Sequence, residues 1–430
     1  MIIQNVKGGF DFLPKEQRIR NYINNILKET FEEYGYEPIE TSILCYYDML
    51  AGKYDESNDI LNEIYKLTDQ GSRKLGLRYD LTVPFAKFIA LNKNEIKLPF
   101  KRYEINKVFR DGPVKVGRDR EFTQCDVDVV GLKGEMIEAE LMSLYVTAFN
   151  KLQIPINIKY NSRKLMSGLI KEVGIKDDTV PSVITIIDKM DKLSREDLLK
   201  ELENIGLTIP ESNKLLDYFK LDLSSLQKEF NNIENTLMKE GLEELSSLTN
   251  YLKELDILEY TTFTPSLARG QDYYTGNVFE VYETSGKLTC AIGGGGRYDK
   301  MITDFIDDGT IYPAVGISFG LTSIFALLKD RETLNKESNL DIYIIPMNTQ
   351  VESLKLANNL RKLGYKVDIE MEEKKLKKSL DYCNKKQIPY VIILGSDEIN
   401  KKEFTLKNMF TRETTIIKEI KEIKDIIKAK

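Results

Sequence analysis

One arginine, two adjacent tyrosines and two glycines lie within fifteen residues of the chain, in SLARGQDYYTGNVFE (residues 266–280). A guanidinium group pairs with carboxylate and phosphate oxygens as a planar fork, and glycine lets a ligand approach the backbone closely. Aromatic side chains commonly line small-molecule pockets. Arg269, Tyr273 and Tyr274 are therefore candidate residues of an anion-binding site with aromatic walls.

Further arginines lie on a predicted β-hairpin that joins FKRYEINKVFRD to REFTQCDVDVVG. Arg102 and Arg110 share a face of the first strand, while Arg118 and Arg120 lie at the far end of the loop. On the return strand, a mostly polar face is formed at period two by Phe122, Gln124, Asp126 and Asp128. Such a face is typical of the floor of a site, and the arginines above it indicate polyanion binding. The alternative is a solvated strand with surface ion pairs.

Two shorter motifs also contain residue types that are suited to ligand binding. In AIGGGGRYD (residues 291–299), glycines that include Gly293 and Gly294 permit close approach of a ligand, although a flexible turn is the alternative. No GK[ST] follows, so the run is not a Walker loop. In RYDLT, Asp80 and Thr82 share a face of an extended segment and are suited to bind an ammonium group; the alternative is a helix cap before Pro84.

The chain contains no histidine, which excludes a Ser-His-Asp triad, an HExxH zinc site and an imidazole general base. Catalysis would have to use arginine, carboxylates, tyrosine, backbone amides and a metal ion. The net charge of −6 argues against a uniformly basic nucleic-acid coat but permits a local basic face. The four scattered cysteines form no CxxC pair, which argues against a protein zinc site and favours a reducing cytoplasm. No segment has the pattern of a secretory signal or a membrane span.

Hydrophobic patterning predicts the elements that position these motifs. An amphipathic helix is expected from Pro14 to Tyr34, followed by an edge strand through Pro38. A hairpin turn is expected at TDQGSRK, a helix near Pro84, strands in NVFEVYE and LTCAIGGGGRYD, and a helix near Gly320. The charged residues between about 165 and 255 predict a helical insertion. From Leu340, strands and helices alternate as in a small α/β domain with a parallel core.

In order and spacing, these motifs resemble histidyl-tRNA synthetase, a class II aminoacyl-tRNA synthetase family, over nearly the whole chain. KGGFDFLP resembles the lead-in of the family, YGYEPIETSIL its motif 1, and the arginine-bearing hairpin its motif 2. LARGQDYYTG and GGGGRYD resemble the two histidine-specific motifs. RYDLT and QCDVDVVG are more similar to the archaeal and eukaryotic branch than to the common bacterial one.

The resemblance implies an α+β fold: a class II antiparallel-sheet catalytic core (1–164 and 256–332) with a helical insertion (165–255) and a C-terminal α/β anticodon-binding domain (340–430). It implies a cytoplasmic homodimer that makes contacts through motif 1. The lysines of the C-terminal domain at 374, 375, 377 and 378 are either a solvated helix face or, beside a synthetase core, RNA contacts.

Roles in ATP binding follow from the resemblance, residue by residue. Arg110 and Arg269 match the catalytic arginines that approach the α-phosphate, and Arg269 also approaches the substrate carboxylate. Arg118 lies where the motif 2 loop contacts ATP, and Gly293 and Gly294 belong to the glycine motif beside it. Because the attacking carboxylate is already ionised, activation needs positive charge from guanidinium groups and Mg²⁺ rather than a general base.

Roles in histidine binding follow in the same way. The matching residues are Asp80 and Thr82 for the α-ammonium group, Gln124 on the motif 2 strand, Asp128 for the imidazole, and Tyr273 and Tyr274 for the pocket wall. A buried carboxylate that loses its imidazole donor would be left unpaired, which favours rejection of ligands without that donor. The implied activity is ATP-dependent activation of L-histidine and its transfer to tRNA(His).

Motif 3 departs from the family pattern. In PAVGISFGLTSIFALL (residues 313–328), the expected Glu-Arg pair is replaced by Thr322 and Ser323, so one cationic ligand of ATP is missing. The alternative function is a synthetase paralogue that binds histidine as a regulator, with weak or no aminoacylation. The retained LARG motif and C-terminal domain favour the ligase.

Overall fold

The computed structural model describes residues 3–52, 60–114, 119–231, 234–269, 273–334 and 337–427. The chain divides into two compact units. The first comprises Met1–Asp11 and Arg20–Leu328, and the second comprises Phe12–Ile19 and Lys329–Lys430. The expected α+β class is confirmed: a large, mainly antiparallel sheet with helices forms the first unit, and a smaller α/β arrangement forms the second.

The strands of the first unit are β1 (Glu37–Pro38), β2 (Leu44–Tyr46), β3 (Lys66–Thr68), β4 (Lys74–Leu77), β5 (Phe100–Phe109), β6 (Glu121–Val130), β7 (Ile156–Ser162), β8 (Thr261–Phe263), β9 (Asn277–Glu283), β10 (Gly293–Arg297) and β11 (Ala314–Gly320). Eight of them form one sheet in the order β1-β5-β6-β11-β10-β9-β7-β8, and β2-β4-β3 form a separate small sheet. All neighbours in the large sheet are antiparallel except β1/β5 and β7/β8. The polar residues of β6 therefore lie in the middle of a broad sheet.

The helices that begin before residue 329 are α1 (Pro14–Glu33), α2 (Tyr47–Ala51), α3 (Ile60–Glu63), α4 (Thr82–Asn92), α5 (Met136–Lys151), α6 (Arg163–Glu172), α7 (Val180–Ile187), α8 (Arg195–Asn204), α9 (Ile209–Tyr218), α10 (Leu223–Glu229), α11 (Thr236–Glu254), α12 (Asp299–Ile306) and α13 (Leu321–Leu328). The predicted helix from Pro14 is confirmed to within one residue of its expected end. Helices α4 and α12 pack together in one apolar cluster that includes Phe85, Ile89 and Ile302. The same cluster includes Tyr298, which directly follows Arg297 at the end of the glycine-rich strand β10.

Helices α6 to α11 occupy the region in which a helical insertion is expected (165–255), and most of them begin with a capping side chain. The N-cap side chains that accept a hydrogen bond from the first turn are Ser162, Ser194, Thr208, Asp222 and Asn235. Each satisfies a backbone N–H that has no partner within its helix. Helices α6 and α11 cross closely, since a Cβ at Gly241 would lie 2.4 Å from the Leu165 nitrogen. Glycine is therefore required at this crossing.

The second unit has the predicted parallel core. Its elements are β12 (Ile342–Met347), α14 (Gln350–Lys362), β13 (Val367–Ile369), α15 (Leu376–Lys385), β14 (Tyr390–Gly395), α16 (Ser396–Lys401), β15 (Phe404–Asn408), β16 (Thr414–Ile417) and α17 (Ile423–Ile426). Strands β13, β12 and β14 are parallel, and β15 and β16 extend the sheet in antiparallel fashion. The alternation of strands and helices in the sequence does not predict this antiparallel extension. Lys374 and Lys375 precede α15 instead of lying on it, which corrects the expected start of that helix.

Candidate active site

A cavity of about 230 Å³ lies on the polar face of the large sheet. It gathers residues that are far apart in the sequence, and its lining includes Asp80, Thr82, Arg110, Gln124, Asp128, Arg269, Tyr273, Tyr274, Gly293 and Gly294. Every residue of the described ranges to which the family resemblance assigns a role is therefore found in one cavity, whereas Arg102 and Arg120 of the arginine-bearing hairpin are not among the lining residues. Arg118, predicted to contact ATP, lies outside the described residues.

The pairing register of β6 with its two neighbouring strands explains why the cavity residues of these strands share one face of the sheet. Strand β6 pairs with β5 on one side and with β11 on the other, so Asp128 lies between Arg102 and Gly316, and Asp126 lies between Glu104 and Ser318. Side chains at period two along β6 therefore reach the cavity, as the sequence pattern predicted. The neighbouring strands β11 and β10 offer mainly glycine on the same face.

The glycines of β10 and β11 make room for functional side chains of the protein itself. A Cβ on Gly294 would lie 2.2 Å from Nη1 of Arg269, and a Cβ on Gly316 would lie 1.8 Å from Oδ1 of Asp128. A Cβ on Gly296 would lie 2.8 Å from the ring of Tyr274. The glycine run is therefore a central strand, which rules out the flexible turn considered above.

Arg269 is held in place by several constraints. Its backbone has φ of +59°, a left-handed conformation that few non-glycine residues adopt and that often marks functional sites. Its Nη1 atom lies 3.0 Å from Oε1 of Glu280, whose other carboxylate oxygen accepts a hydrogen bond of 2.5 Å from Tyr282. The guanidinium group is thus fixed over Gly294, which suits a preorganised cation.

Arg110 is the second cation that lines the cavity within the described residues. Its Nε atom donates a hydrogen bond of 3.0 Å to the carbonyl of Tyr79, and its guanidinium carbon lies 5.2 Å from the centre of the Phe122 ring. These contacts hold the side chain at the rim of the cavity. Arg110 and Arg269 are therefore available together for an anion in the same space.

Arg102 has a different role from the one its spacing predicted. Its side chain is fully buried, its Nη2 atom lies 2.6 Å from Oδ2 of Asp128, and its guanidinium carbon lies 4.3 Å from the Phe85 ring centre. It shares a face with Arg110, as expected, but it neutralises a protein carboxylate and does not line the cavity. Period two gives the face of a side chain but not its burial, which is why the prediction of a polyanion contact at Arg102 was wrong.

Asp128 faces the cavity from a buried position, with 3% of its surface exposed. Its Oδ1 atom accepts a short hydrogen bond from the Tyr298 hydroxyl, in addition to the Arg102 ion pair. Burial raises the pKa of Asp128, while Arg102 and Tyr298 oppose that rise. A carboxylate with these two partners is firmly oriented and retains lone pairs for one further donor.

Asp80 and Thr82 line the cavity, but the segment between them is not extended. Thr82 is the first residue of α4, and Oδ1 of Asp80 accepts a hydrogen bond of 3.1 Å from the Val83 nitrogen. The expectation of an extended segment was wrong, because the helix begins two residues before Pro84. Asp80 therefore makes the capping contact and also lines the cavity, where its contact with an ammonium group stays a prediction. Burial raises the pKa of Asp80 to about 6, although the Val83 N–H and Arg110 oppose the rise.

Two site residues, Tyr298 and Glu280, are not among those expected from the sequence. They contact Asp128 and Arg269, respectively. Asp126, expected on the polar face of β6 without an assigned role, also lines the cavity. Tyr298 directly follows the GGGGR run and Glu280 ends the segment first quoted above, so both lay within recognised motifs. Their contacts depend on strand register, which short motifs do not reveal.

The unusual motif 3 pair lies at the start of α13. Thr322 forms a side-chain hydrogen bond with Asp119, and Ser323 is buried with 6% of its surface exposed. Nearby, Arg20 donates to the Thr123 hydroxyl at 3.3 Å and lies 5.9 Å from the Phe325 ring centre. The described part of the cavity lining therefore has only Arg110 and Arg269 as cations.

Comparison with known proteins identifies relatives of both units. A family model described as histidyl-tRNA synthetase matches residues 8–324, and one described as anticodon binding domain matches residues 341–430. A histidine–tRNA ligase 1 of Bacillus cereus is 45% identical over 414 residues, which cover 95% of this chain and 94% of that protein. A histidine–tRNA ligase 2 of Shouchella clausii is 43% identical over 410 residues, with coverage of 95% and 96%.

Solved structures agree with these matches. The crystal structure of histidyl-tRNA synthetase from Nostoc sp. PCC 7120 superposes with a TM-score of 0.87 at 27% identity, covering 99% of this chain and 100% of that one. Among the helices in the described ranges, none combines the length and the apolar character needed to cross a bilayer.

Proposed function

We propose, because the chain belongs to the histidyl-tRNA synthetase family, that its sheet-face cavity is the catalytic site of a histidine–tRNA ligase. The enzyme activates L-histidine with ATP to form histidyl-adenylate and pyrophosphate, and then transfers histidine to tRNA(His). The observation that carries this assignment is the shared cavity of Arg110, Arg269 and Asp128. Two cations for phosphate and one oriented carboxylate for imidazole are the groups that this reaction requires.

L-Histidine binds along the floor of the cavity. Asp80, Thr82 and Gln124 receive the α-ammonium end, and Asp128 accepts an N–H of the imidazole ring between Tyr273 and Tyr274. The support for this orientation is the buried position of Asp128, which Arg102 and Tyr298 hold in one conformation. A ligand without the imidazole donor would leave this carboxylate less well satisfied, which provides selectivity.

ATP binds against Arg110, Arg269 and the glycine strand that includes Gly293 and Gly294, with Arg118 at the motif 2 loop. Negative charge grows on the α-phosphate as the histidine carboxylate attacks, and the two guanidinium groups stabilise it without moving, because Glu280 and Tyr79 already hold them. The carboxylate is the nucleophile and pyrophosphate is the leaving group. No protein base is needed in this step.

Mg²⁺ would enter with ATP as part of the substrate complex. The described residues contain no group of three or more side chains suited to hold a metal ion. Mg²⁺ usually takes one or two carboxylates from a protein and completes its coordination with substrate phosphates and water. The ion would supply additional charge neutralisation on the phosphates.

The second unit binds the anticodon region of tRNA(His), as its family match supports. The exposed lysines at 377 and 378 on α15, together with Lys375 just before it, are available for phosphate contacts, whereas Lys374 also pairs with Glu370 at 2.9 Å. The functional regions are a catalytic core (1–164 and 256–332), a helical insertion (165–255) and an anticodon-binding domain (340–430). RNA binding by lysine should weaken steeply with added salt.

The enzyme is a homodimer of the cytoplasm. An apolar face of the small sheet supports the dimer: Leu44, Tyr46 and Leu67 are 51%, 59% and 42% exposed on strands β2 and β3. A contiguous exposed apolar face of this kind is typical of a protein–protein interface. The free thiols of Cys45, Cys125, Cys290 and Cys383 are consistent with a reducing compartment.

Histidine-dependent exchange of pyrophosphate into ATP is the decisive experiment. The ligase requires exchange that depends on L-histidine and that falls by at least about a hundredfold in Arg269→Ala, as expected when a transition-state cation is removed. Charging of tRNA(His) then tests the second step. Exchange that is unchanged in Arg269→Ala would overturn the catalytic assignment.

One observation favours a second function. Without the motif 3 arginine, Thr322 is bonded to Asp119 and no cation extends from this position. A histidine-binding regulator with weak or no aminoacylation would retain the amino-acid pocket and tolerate this loss. Binding of L-histidine without measurable pyrophosphate exchange would identify the regulator, whereas robust exchange excludes it.

A further inference from the structure

Arg163, the first residue of α6, contacts both ends of the segment that carries Arg269. Its Nη1 atom donates a hydrogen bond of 3.2 Å to the carbonyl of Ala268, and its backbone nitrogen donates one of 3.0 Å to the carbonyl of Gly276. Ala268 directly precedes Arg269, and Gly276 comes two residues after the tyrosine pair. One residue outside the motif therefore holds the backbone on both sides of the proposed catalytic arginine.

Asp188, which directly follows α7, holds the other polar group of Ala268. Its carboxylate accepts a hydrogen bond from the Ala268 N–H, so this residue is bound by a carboxylate at its nitrogen and by a guanidinium group at its carbonyl. Bonds that involve an ionised group are stronger than bonds between neutral groups. The amide nitrogen of Asn161 also donates to two carbonyls just upstream, those of Pro265 and Leu267, at 2.7 and 3.0 Å. The backbone that leads into the catalytic arginine is therefore firmly held.

The carbonyl of Ala268 is important because of the backbone conformation of Arg269. The torsion φ of Arg269 relates the peptide plane that contains this carbonyl to the Cα atom of Arg269, and its value of +59° is uncommon outside glycine. Such a conformation persists only where the surrounding contacts fix it. Arg163 fixes the peptide plane before this torsion, and Glu280 fixes the guanidinium group after it. A return to negative φ would disturb one of these two contacts.

We propose that Arg163 and Asp188 are positioning residues, which hold the backbone of Arg269 in its left-handed conformation and so direct its guanidinium group to the cavity. This inference rests on the proposed function, in which Arg269 stabilises the charge that grows on the α-phosphate. A fixed cation stabilises that charge without reorganisation, so a relaxed backbone at residue 269 slows the chemical step. Neither positioning residue is among those that line the sheet-face cavity. Helices α6 and α7 therefore contribute to catalysis from outside the cavity.

Direct contact with RNA is the competing role for Arg163. The residue also lines a second cavity of about 1000 Å³, whose lining includes residues of α6, α7 and α12. A guanidinium group beside a cavity of this size suits an RNA phosphate. The hydrogen bond to Ala268 favours the positioning role, because it directs the group to the backbone. Pyrophosphate exchange separates the two roles, since this reaction proceeds without tRNA.

The Arg163→Met variant tests the proposal, because it retains an apolar stem and removes every donor of the guanidinium group. It should lower kcat for histidine-dependent pyrophosphate exchange by about tenfold and change the KM for histidine by less than about threefold, as expected when a catalytic cation is misplaced. Arg163→Lys, which keeps a cationic donor, should recover most of this loss. The matched control is Arg195→Met, at an arginine that bonds to Asn213 within the helical region, and it should behave as wild type.

Two outcomes for Arg163→Met would overturn the proposal. Exchange with unchanged kcat would show that the contact with Ala268 does not position Arg269. A loss confined to the charging of tRNA would assign Arg163 to RNA instead.

The double variant Arg163→Met/Arg269→Ala tests whether Arg163 acts through Arg269. If it does, adding Arg163→Met to Arg269→Ala should change the residual exchange by less than about twofold, because residues that act as a unit have non-additive effects. A further loss of about tenfold in the double variant would show that Arg163 acts independently, against the proposal.

Asp188 supplies an independent pair of variants. Asp188→Ala removes the acceptor for the Ala268 N–H and should lower kcat by about tenfold, whereas Asp188→Asn keeps an oxygen acceptor and should remain within about threefold of wild type. Equal losses in the two variants, or unchanged kcat in Asp188→Ala, would contradict the proposal. This pair also decides the question if Arg163→Met does not fold. Absence of histidine-dependent exchange in the wild-type protein would instead defeat the proposed function, so the two failures are distinguishable.

Discussion

Glu280 fixes the guanidinium group of Arg269, with Oε1 of Glu280 lying 3.0 Å from Nη1 of Arg269. The pair is partly buried, and both side chains are about one-fifth exposed, at 18% and 21%. Tyr282 holds the same carboxylate from its other side. In the proposed mechanism, Glu280 is therefore a positioning residue, which would act on the phosphate only through Arg269.

The Glu280→Gln variant tests this positioning role. It should lower kcat for pyrophosphate exchange by about tenfold while changing the KM for histidine by less than about threefold, because a loosened cation weakens transition-state stabilisation more than ground-state binding. Glu259→Gln, at an exposed carboxylate, is the matched control and should behave as wild type. A rise in KM with unchanged kcat would show that Glu280 serves substrate binding instead.

The Gly294→Ala variant tests the space that Arg269 occupies. A Cβ at this position would lie 2.2 Å from Nη1 of Arg269, so the guanidinium group must shift. We expect at least about a tenfold loss of kcat, since small misplacements of catalytic groups are costly. Gly71→Ala, where the nearest contact is 3.4 Å, is the control and should retain activity. Full activity of Gly294→Ala would show that Arg269 tolerates displacement.

The Arg102→Met variant tests the buried ion pair beneath the imidazole site. Loss of the Arg102 guanidinium group would leave Asp128 as a buried charge without its ionic partner. The free energy of unfolding should therefore fall by about 3–5 kcal/mol. The double variant Arg102→Met/Asp128→Asn should recover part of that loss, because no uncompensated charge remains. Urea denaturation of the wild type, both single variants and the double variant measures the coupling. Simple additivity would contradict a direct interaction.

The pKa of Asp80 predicts an effect on stability as a function of pH. Because folding raises this pKa from 3.8 to about 6, the folded state retains the proton longer than the unfolded state. The contribution of Asp80 to the free energy of unfolding therefore falls as the pH rises from about 4 to about 6 and then stays low. Asp80→Asn, whose Oδ1 can still cap α4, should be more stable than wild type at pH 7 by about 1–3 kcal/mol, with little difference near pH 4.

The same Asp80→Asn variant should bind L-histidine about tenfold more weakly at pH 7, because the ammonium group loses an ionic partner. Comparing the two proteins across the pH range removes the titration of the ligand itself, which both share. Increased stability together with unchanged histidine affinity would restrict Asp80 to its capping role.

The exposed face of the small sheet predicts the quaternary structure. Leu67→Asp and Tyr46→Lys place charges where the apolar face would be buried, and each should convert a dimer to a monomer in analytical ultracentrifugation, because an unpaired charge in an apolar interface is costly. Ile209→Asp, an exposed apolar position on α9, is the control and should leave the assembly unchanged. Unaltered sedimentation of both test variants would show that this face is not part of the dimer interface.

Much of the site could be predicted because its signals are local. The period-two face of β6 identified Gln124 and Asp128, and the hairpin that carries them was found with its correct strands. Secondary structure with strong patterning, such as α1 and the parallel core of the second unit, was also predicted. In these cases the pattern within one segment is sufficient.

The remaining features depend on pairing between distant segments. Gly294 and Arg269 are close in the fold although they belong to different motifs, and no spacing within either motif gives that contact. Arg102 was assigned to the correct face but to the wrong partner, since its burial is set by Phe85 on α4. A helix that begins near Pro84 predicts an extended conformation at Asp80, whereas the helix begins earlier, at Thr82.

The antiparallel register of β10 against β9 and β11 has a consequence for the yield of working enzyme. A slip of one residue would still place a glycine beside Arg269, but it would move Tyr298, which directly follows β10, away from Asp128. Molecules trapped in that arrangement would keep their hydrogen-bonded ladder yet fail to form adenylate. The amount of adenylate formed in a single turnover, divided by the amount of total protein, would therefore measure the fraction of molecules in which β10 has its native register.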